Sequence, residues 1–349
     1  TGGHAETSAW GTRGEAHIGI AHVPDPRLDR LGRIFKPRKV THAAVEYIDL
    51  PGLTRSDARG ALEGRAGDMT TYLTNLKNVD ALLHVVRAFR DPAIPHPAGS
   101  IEPARDIGLF ELEMIFLDLA ITEKRLERVA KDLKKSRSAE LESEHALLQR
   151  VRTMLEGERP LRELDLTQED EKRMRGFTFL SAKPVLNVIN LADEDAERIP
   201  GVVEEYGLSR YSSAKNSAVT AVCGKIEAEI ASLPDSDAEA FLADLGFKES
   251  GLSRVVRACF SLLGLISFFT VNEAEARAWP VARGTTAIQA AGAIHSDFAQ
   301  GFIKAEVLPY EDTVGLGSFH AARTRGVLRL EGKDYVVREG DVILFRFNV

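Results

Sequence analysis

The chain has 349 residues, long enough that two or three domains are expected. Apolar residues at 44% and charged residues at 28% describe an ordinary globular protein, and the net charge of −7 speaks against wholesale coating of nucleic acid while leaving room for a local basic patch. The only cysteines, Cys223 and Cys259, form no C-x-x-C, which speaks against a disulfide framework or structural zinc and points to a reducing compartment. No apolar run approaches the ~20 residues that span a bilayer. The opening T-G-G-H-A-E-T-S-A-W-G-T lacks the basic and apolar regions of a signal peptide, so a cytoplasmic protein is expected.

Along the chain, Val45 to Ile48 reads as a short strand ended by Pro51 and Gly52. Met69 to Asn78 carries a helical pattern. Ala81 to Val86, A-L-L-H-V-V, is a continuous apolar run that fits a strand buried on both faces, with His84 as a satisfied core histidine. Leu112, Leu119, Leu126 and Leu133 then fall seven apart, with Ile115, Thr122 and Val129 between them; Leu141, Leu148 and Leu155 repeat the spacing. K-K-S-R-S, Lys134 to Ser138, has no apolar residue and can turn. This pattern predicts an antiparallel coiled-coil hairpin, in preference to two ordinary amphipathic helices on a sheet. Its tip would carry Lys131, Lys134, Lys135 and Arg137, either as a solvated end or as a contact to an RNA phosphate backbone. Lys183 to Ile189 and Ala218 to Val222 are further strands, and the strand–helix alternation predicts an α/β doubly wound sheet. Beyond about Leu265, short apolar segments with period-two spacing (Leu328, Leu330, Tyr335, Val337, Ile343, Phe345, Phe347) predict a small mixed α+β domain, with E-G-K-D (Glu331 to Asp334) as a hairpin-type turn.

Three strand ends carry chemistry. V-E-Y-I-D-L-P-G-L (Val45 to Leu53) ends a strand in D-x-x-G, the pattern that in phosphate-loop nucleotide hydrolases holds Mg²⁺ through Asp49 and brings the Gly52 amide to the terminal phosphate. N-L-A-D (Asn190 to Asp193) follows the strand K-P-V-L-N-V-I. There an asparagine braces a loop and a carboxylate reads a purine edge, although an Asx-turn and helix cap use the same spacing. C-G-K (Cys223 to Lys225) follows V-T-A-V, where a backbone amide and a lysine stem can border the base. Each alone is weak; their order along the chain makes the trio persuasive.

With these residues the sequence resembles the YchF-type Obg-like ATPases, a branch of the P-loop NTPases. V-P-D-P-R-L-D-R-L (Val23 to Leu31), V-D-A-L-L-H-V-V-R (Val79 to Arg87), E-K-R-L-E-R-V (Glu123 to Val129) and E-S-G-L-S-R-V-V-R (Glu249 to Arg257) match the family. The most specific block is R-A-W-P-V-A-R-G-T-T-A-I-Q-A-A-G-A-I-H-S-D-F-A-Q-G-F-I-K-A-E-V, Arg277 to Val307, which with the ending G-K-D-Y-V-V-R-E-G-D-V-I-L-F-R-F-N-V looks like a C-terminal TGS domain. The resemblance implies a P-loop NTPase-like parallel sheet without its first strand and phosphate loop, a coiled-coil insert and a β-grasp domain. Its segments would be 1–105 (first part of the nucleotide domain), 106–165 (hairpin), 166–265 (second part, with the base-reading loops) and 266–349 (TGS).

It implies a switch that hydrolyses ATP, or GTP as the alternative, and binds the ribosome or ribosomal RNA. Mg²⁺ would be held near Asp49 and Thr12, and the nucleotide near Gly52, Asn190, Leu191, Asp193, Cys223, Gly224 and Lys225. Two departures stand out. The family's G-x-x-x-x-G-K-[ST] loop is not in this sequence, so the chain reads as beginning just after that loop's helix, with a gap left in the sheet. The base loop is N-x-x-D rather than the family's N-x-x-E, and Leu191 stands where a GTPase carries lysine. A nucleotide-independent scaffold that binds RNA or ribosomes through the hairpin and TGS domain is the competing reading.

Overall fold

A computed structural model describes residues 17–50 and 67–348. In chain order its strands are β1 (His17–His22), β2 (Lys39–Thr41), β3 (Ala44–Asp49), β4 (Leu82–Arg87), β5 (Val185–Asn190), β6 (Ser217–Val222), β7 (Leu265–Val271), β8 (Glu275–Ala282), β9 (Phe302–Pro309), β10 (Arg329–Glu331) and β11 (Asp341–Phe347). They pair as β1-β3, as β4-β5-β6, and as β10-β9-β11-β7-β8-β2. The chain divides into two units, one joining Gly19–Tyr47 to Val256–Val349 and the other running from Ile48 to Val255.

In the second unit β4, β5 and β6 are all parallel and in register, so that Leu82, Val185 and Ser217 align at one end and Arg87, Asn190 and Val222 at the other. Central β5 is buried along Val185–Ile189, as its continuous apolar run requires. In β4 the expectation of burial on both faces fails. Leu82 and Val86 are buried, but Leu83 and Val85 are exposed, because among the described residues β4 is at the edge of its sheet and is covered on one face only. His84 stacks on Phe110 with ring centroids 4.2 Å apart and places Nδ1 3.2 Å from Asn187 Oδ1. Burial pulls its pKa down to about 4, so the ring is neutral at pH 7 and is the core histidine expected.

The helical insert is a hairpin of Pro103–Lys135, 33 residues, and Ala139–Glu156, 18 residues. Proline opens the first arm at a position where no amide partner is lost, and Ser138 caps the second by accepting from Leu141 N at 3.2 Å. Near the tip the seam is the expected one, with Leu126, Val129 and Leu148 buried beside Leu133 and Leu141. Arg125 clasps Glu144 across the arms with two hydrogen bonds of 2.7 and 2.8 Å. Toward the base, Met114 and Asp118 are buried with Ile115, while Leu112 is only half-buried. There the helix packs against the second arm on one side and the sheet on the other, so its buried stripe is wider than a two-helix seam.

Asp118 is fully buried; its Oδ1 accepts from Leu180 N at 2.9 Å and its Oδ2 from Ser181 N at 2.7 Å. These bonds anchor the loop that leads into β5.

In the other unit, β7 and β8 are antiparallel, β11 runs parallel to β7 and antiparallel to β9, and β10 closes the edge against β9. The helix Ala287–Ile294 packs Ala287, Ala290 and Ala291 on Ile266, Phe268, Val307, Ile343 and Phe345, the β-grasp arrangement. Phe269, Val271 and Val342 point to the opposite face, where Leu28 and Leu31 of the helix Pro26–Phe35 cover them. Parallel pairing of β2 with β8 (Val40↔Ala276) adds a sixth strand from near the start of the chain. E-G-K-D turns the chain but closes no hairpin. β10 pairs with β9, Val336 makes only an isolated bridge to Thr286, and Leu330 is 60% exposed rather than half-buried.

Burial raises the Asp118 pKa to about 6, outweighing the hydrogen bonding of the Ser181 side chain and of the two amides. The acid is protonated in folded and unfolded chains below about pH 4, whereas above 6 the folded chain must hold a buried charge; its contribution therefore falls as pH rises through that window. Asp118→Asn keeps one acceptor but turns an amide donor toward a backbone donor, so a loss of about 1–3 kcal/mol is expected. The stability gap between parent and variant should narrow from pH 4 to pH 7 in urea melts; a gap independent of pH refutes the assignment.

Candidate functional site

Parallel strands carry their ligands at their carboxyl ends, where loops meet and backbone amides are unpaired. In the unit Ile48–Val255 those ends belong to β4, β5 and β6, aligned through Arg87, Asn190 and Val222. Backbone bonds from Ala88 N to Asn190 O and from Leu191 N to Val222 O, both 2.8 Å, extend the register one step past the strands. The Asn190 carboxamide then crosses to the next loop, and its Oδ1 accepts from Gly224 N at 2.9 Å. A Cβ on Gly224 would lie 3.1 Å from that oxygen, so a larger residue would push the brace aside.

Alongside it, Lys225 Nζ donates to Asp193 Oδ2 at 2.6 Å. That carboxylate holds the lysine ammonium more firmly on its proton. The lysine is exposed and the carboxylate about a third exposed, so the pair is readily exchanged for contacts to a ligand. Leu191 is buried in the core beneath the loop and offers no stacking side chain. Cys223 is buried too, with Sγ 3.3 Å from Ala192 O, and burial raises its thiol to about 11, so it packs the loop and does not react.

The structure adds residues that the spacing did not reveal. Glu227 lies one turn into the helix Gly224–Ser232 and accepts from Gly251 N at 2.7 Å and Leu252 N at 3.0 Å, capping the helix Gly251–Leu262. A Cβ on Gly251 would meet Val222 Cγ1 at 2.9 Å, so glycine is needed for the helix end to approach β6. Arg254 donates to Ala221 O at 3.2 Å. The block E-S-G-L-S-R was the available signal, but its task, bracing the C-G-K loop, depends on tertiary contacts.

After β4 the loop carries His96, whose Nε2 lies 3.2 Å from Asp106 Oδ2, at ion-pair distance without hydrogen-bond geometry; Arg105 holds the other oxygen at 2.8 and 2.9 Å. Asp49 ends β3 with an exposed side chain. Gly52 and Thr12 lie outside the described residues. No three-residue metal cluster occurs among the described residues. A Mg²⁺ ion of the phosphate-bound kind needs few protein ligands, so a lone exposed carboxylate such as Asp49 fits it. Lys131, Lys134, Lys135 and Arg137 are all exposed at the hairpin tip.

Over 335 aligned residues the chain is 39% identical to the ribosome-binding ATPase YchF of Bacillus subtilis, covering 96% of this chain and 90% of that protein. The chain belongs to the YchF family. The family model YchF-GTPase_C, described as a protein of unknown function (DUF933), matches residues 265–348, the span of β7 to β11. Rice Obg-like ATPase 1 is 33% identical, with 94% of this chain and 82% of that protein covered. The solved structure of the Schizosaccharomyces pombe YchF GTPase superposes with a TM-score of 0.79 at 27% identity, covering 94% of this chain and 87% of that one. The P-loop NTPase-like fold with a C-terminal domain follows for this YchF-family chain as well.

If Asn190 braces the loop after β6 in this YchF-family chain as the geometry shows, Asn190→Ala frees the Gly224 amide. Loss of one hydrogen bond worth about 0.5–1.5 kcal/mol should speed exchange of that amide about two- to twelvefold while β5 stays protected. Unchanged exchange at Gly224 would show that the brace is not formed in solution.

Proposed function

We propose that this chain binds a purine nucleotide at the ends of β5 and β6, hydrolyses ATP and acts as a nucleotide-dependent switch on the ribosome. The observation that carries the reading is the Asn190–Gly224 brace beside the Asp193–Lys225 pair, at the ligand-binding end of a parallel sheet. Asn190 fixes the loop, Asp193 accepts from the purine edge, the Lys225 stem borders the ring, and Cys223 and Leu191 pack the loop from below. Asp49 would hold Mg²⁺ through its water, with Thr12 and Gly52 completing the metal and terminal-phosphate contacts. The metal would neutralise charge on the phosphates. His96 sits on the loop after β4 with Nε2 3.2 Å from Asp106 Oδ2. Hydrolysis in this class also uses a G-x-x-x-x-G-K-[ST] cradle, which residues 1–349 do not contain, so the described residues account for base recognition rather than phosphate binding.

The names of the relatives differ over the nucleotide, ATPase for the B. subtilis protein and GTPase for the S. pombe structure. ATP is favoured here because Leu191 lacks the stacking stem of a GTPase lysine and Lys225 already occupies one oxygen of Asp193. For the chain joined to a phosphate-cradle segment, competition should favour ATP by a modest margin, because with one oxygen occupied Asp193 cannot accept from both N1–H and N2–H₂ of guanine. GTP displacing ATP at equal or lower concentration would overturn the choice.

Ribosome contact is assigned to the hairpin tip, where Lys131, Lys134, Lys135 and Arg137 face solvent beyond the Leu126–Leu148 seam. Each phosphate contact releases condensed counterions, so binding should weaken steeply with salt. Replacing all four with Gln should flatten the salt slope by about two to four units, at ~0.7–0.9 per lost contact, with helix content unchanged by circular dichroism. Co-sedimentation across a salt series reads this, and an unchanged slope in a folded variant removes the tip from the interface. Ribosome binding indifferent to nucleotide would favour the scaffold reading.

A further inference from the structure

The loop Leu180–Lys183 is gripped from two directions. From the hairpin, the buried Asp118 carboxylate holds Leu180 N and Ser181 N at 2.9 and 2.7 Å, and Thr122 Oγ1 donates to Asp118 O at 2.8 Å. From the helix Gly67–Asn78, Lys183 Nζ reaches the carbonyl ends, donating to Lys77 O at 3.0 Å and to Val79 O. Such an ammonium caps the negative end of a helix and satisfies carbonyls that have no partner within it. Between the two grips lies one apolar cluster. Leu180 packs with Leu73 and Leu76 of that helix and with Phe110, Met114 and Leu117 of the hairpin arm. Leu50, the residue after Asp49, belongs to the same cluster.

We propose that Leu180–Lys183 is a joint that couples the helix Gly67–Asn78 to the hairpin, so that a displacement of either is felt by the other. Three features support a joint rather than independent packing. The loop has four residues, too short to absorb movement of one partner without moving its grip on the other. Its two polar clamps come from different elements and are half-buried or buried, where each lost bond is felt. The element on the Asp118 side is one continuous helix that runs about 25 Å further to the cationic tip. In the reading of the chain as a nucleotide switch, this is the route by which the Asp49 end of β3 and the ribosome-facing tip communicate. The use of the joint rests on that reading; the coupling itself does not.

Coupling between two sites is reciprocal, which a purely local role does not reproduce. The test is hydrogen exchange on the chain, without nucleotide or ribosome. Lys183→Met keeps the stem and removes the donors, and exchange should rise about two- to thirtyfold in the distant hairpin segment 110–122 as well as at 76–79. Asp118→Asn should raise exchange at 76–79 by a similar factor, including at Leu76, Asn78 and Val79, although Asp118 makes no hydrogen bond there and meets that segment only through the charge of Lys77. The helix Gly224–Ser232 is the control and should not change. If Lys183→Met unfolds the chain, Lys183→Arg, which keeps donors but displaces them, carries the same comparison. Changes confined to each variant's own neighbourhood overturn the joint. Because no ligand is present, that failure is separate from failure of the nucleotide reading.

Discussion

A buried carboxylate sets the geometry of the parallel sheet in the unit Ile48–Val255. Among the described residues Asp118 has no ion-pair partner in contact; burial raises its pKa, and the Ser181 side chain, the two backbone amides and the charge of Lys77 oppose that rise. A group of this kind is expensive to leave unpaired, so the chain cannot let the Leu180–Ser181 loop drift without a large loss. Fixing that loop fixes where β5 begins. Lys183 N closes a turn on Leu180 O, Pro184 O receives Leu82 N, and Val185 N reaches Asn216 O, which together set the register of all three strands. At the other end of the six-residue strand the same register delivers Asn190 to the carboxyl end of the sheet, beside Arg87 and Val222. A contact made by a helical insert thus positions the residue that braces the loop after β6.

Beside it, Arg162 and Glu111 make a second tether between the insert and the loop. The guanidinium is buried and bonds Glu111 Oε1 through two nitrogens at 3.0 and 3.2 Å, while its backbone N donates to Ser181 O at 3.0 Å. Burial pushes the arginine pKa down and the glutamate pKa up, each drawn toward its neutral form, and their mutual attraction opposes both shifts. Such a pair adds little net stability over an apolar pair, but removing one partner leaves the other buried and unpaired. Its effect is therefore on specificity of packing, keeping the hairpin base in one orientation.

Much of this was legible in the sequence, for reasons that differ by region. β5 announced itself because a central parallel strand must be apolar throughout, and the tip half of the hairpin because Leu126, Val129, Leu133, Leu141 and Leu148 face only each other. The ends of β3, β5 and β6 were readable because Asp49, Asn190 and Cys223 each follow an apolar run that stops there. What escaped the reading depended on contacts distant in sequence. Leu112 matched the heptad and Met114 did not, yet Met114 is buried, because the sheet, not the second helix, decides that face. β2 has three residues and no periodicity, and it exists only because β8 offers an edge. Glu227 looked like any exposed helix glutamate until Gly251 was brought against it. Leu330 fits a period of two, but its strand pairs with β9 on a face that nothing covers, so its exposure could not be inferred from alternation.

The hairpin also has the mechanical properties that a transmitting element needs. A two-helix coiled coil resists bending because both arms must deform together, and here Arg125–Glu144 and the Leu126–Val129–Leu148 seam lock the arms near the tip. Rigidity alone transmits nothing unless the base is held by elements that move. At the base, the polar grips of Asp118 and Arg162 fix direction, while the cluster around Leu180, Met114 and Leu76 is apolar and directionless. Apolar contacts tolerate small sliding and directional hydrogen bonds do not. A displacement of the helix Gly67–Asn78 would therefore slide across the cluster but pull on Lys183, and the hydrogen-bonded loop would pass that pull to the arm. Charged residues at the tip turn a small rotation at the base into a larger shift of cations, because displacement grows in proportion to distance from the pivot. The polar clamps and the apolar bearing are thus complementary parts of one arrangement, and neither alone gives the tip a defined response.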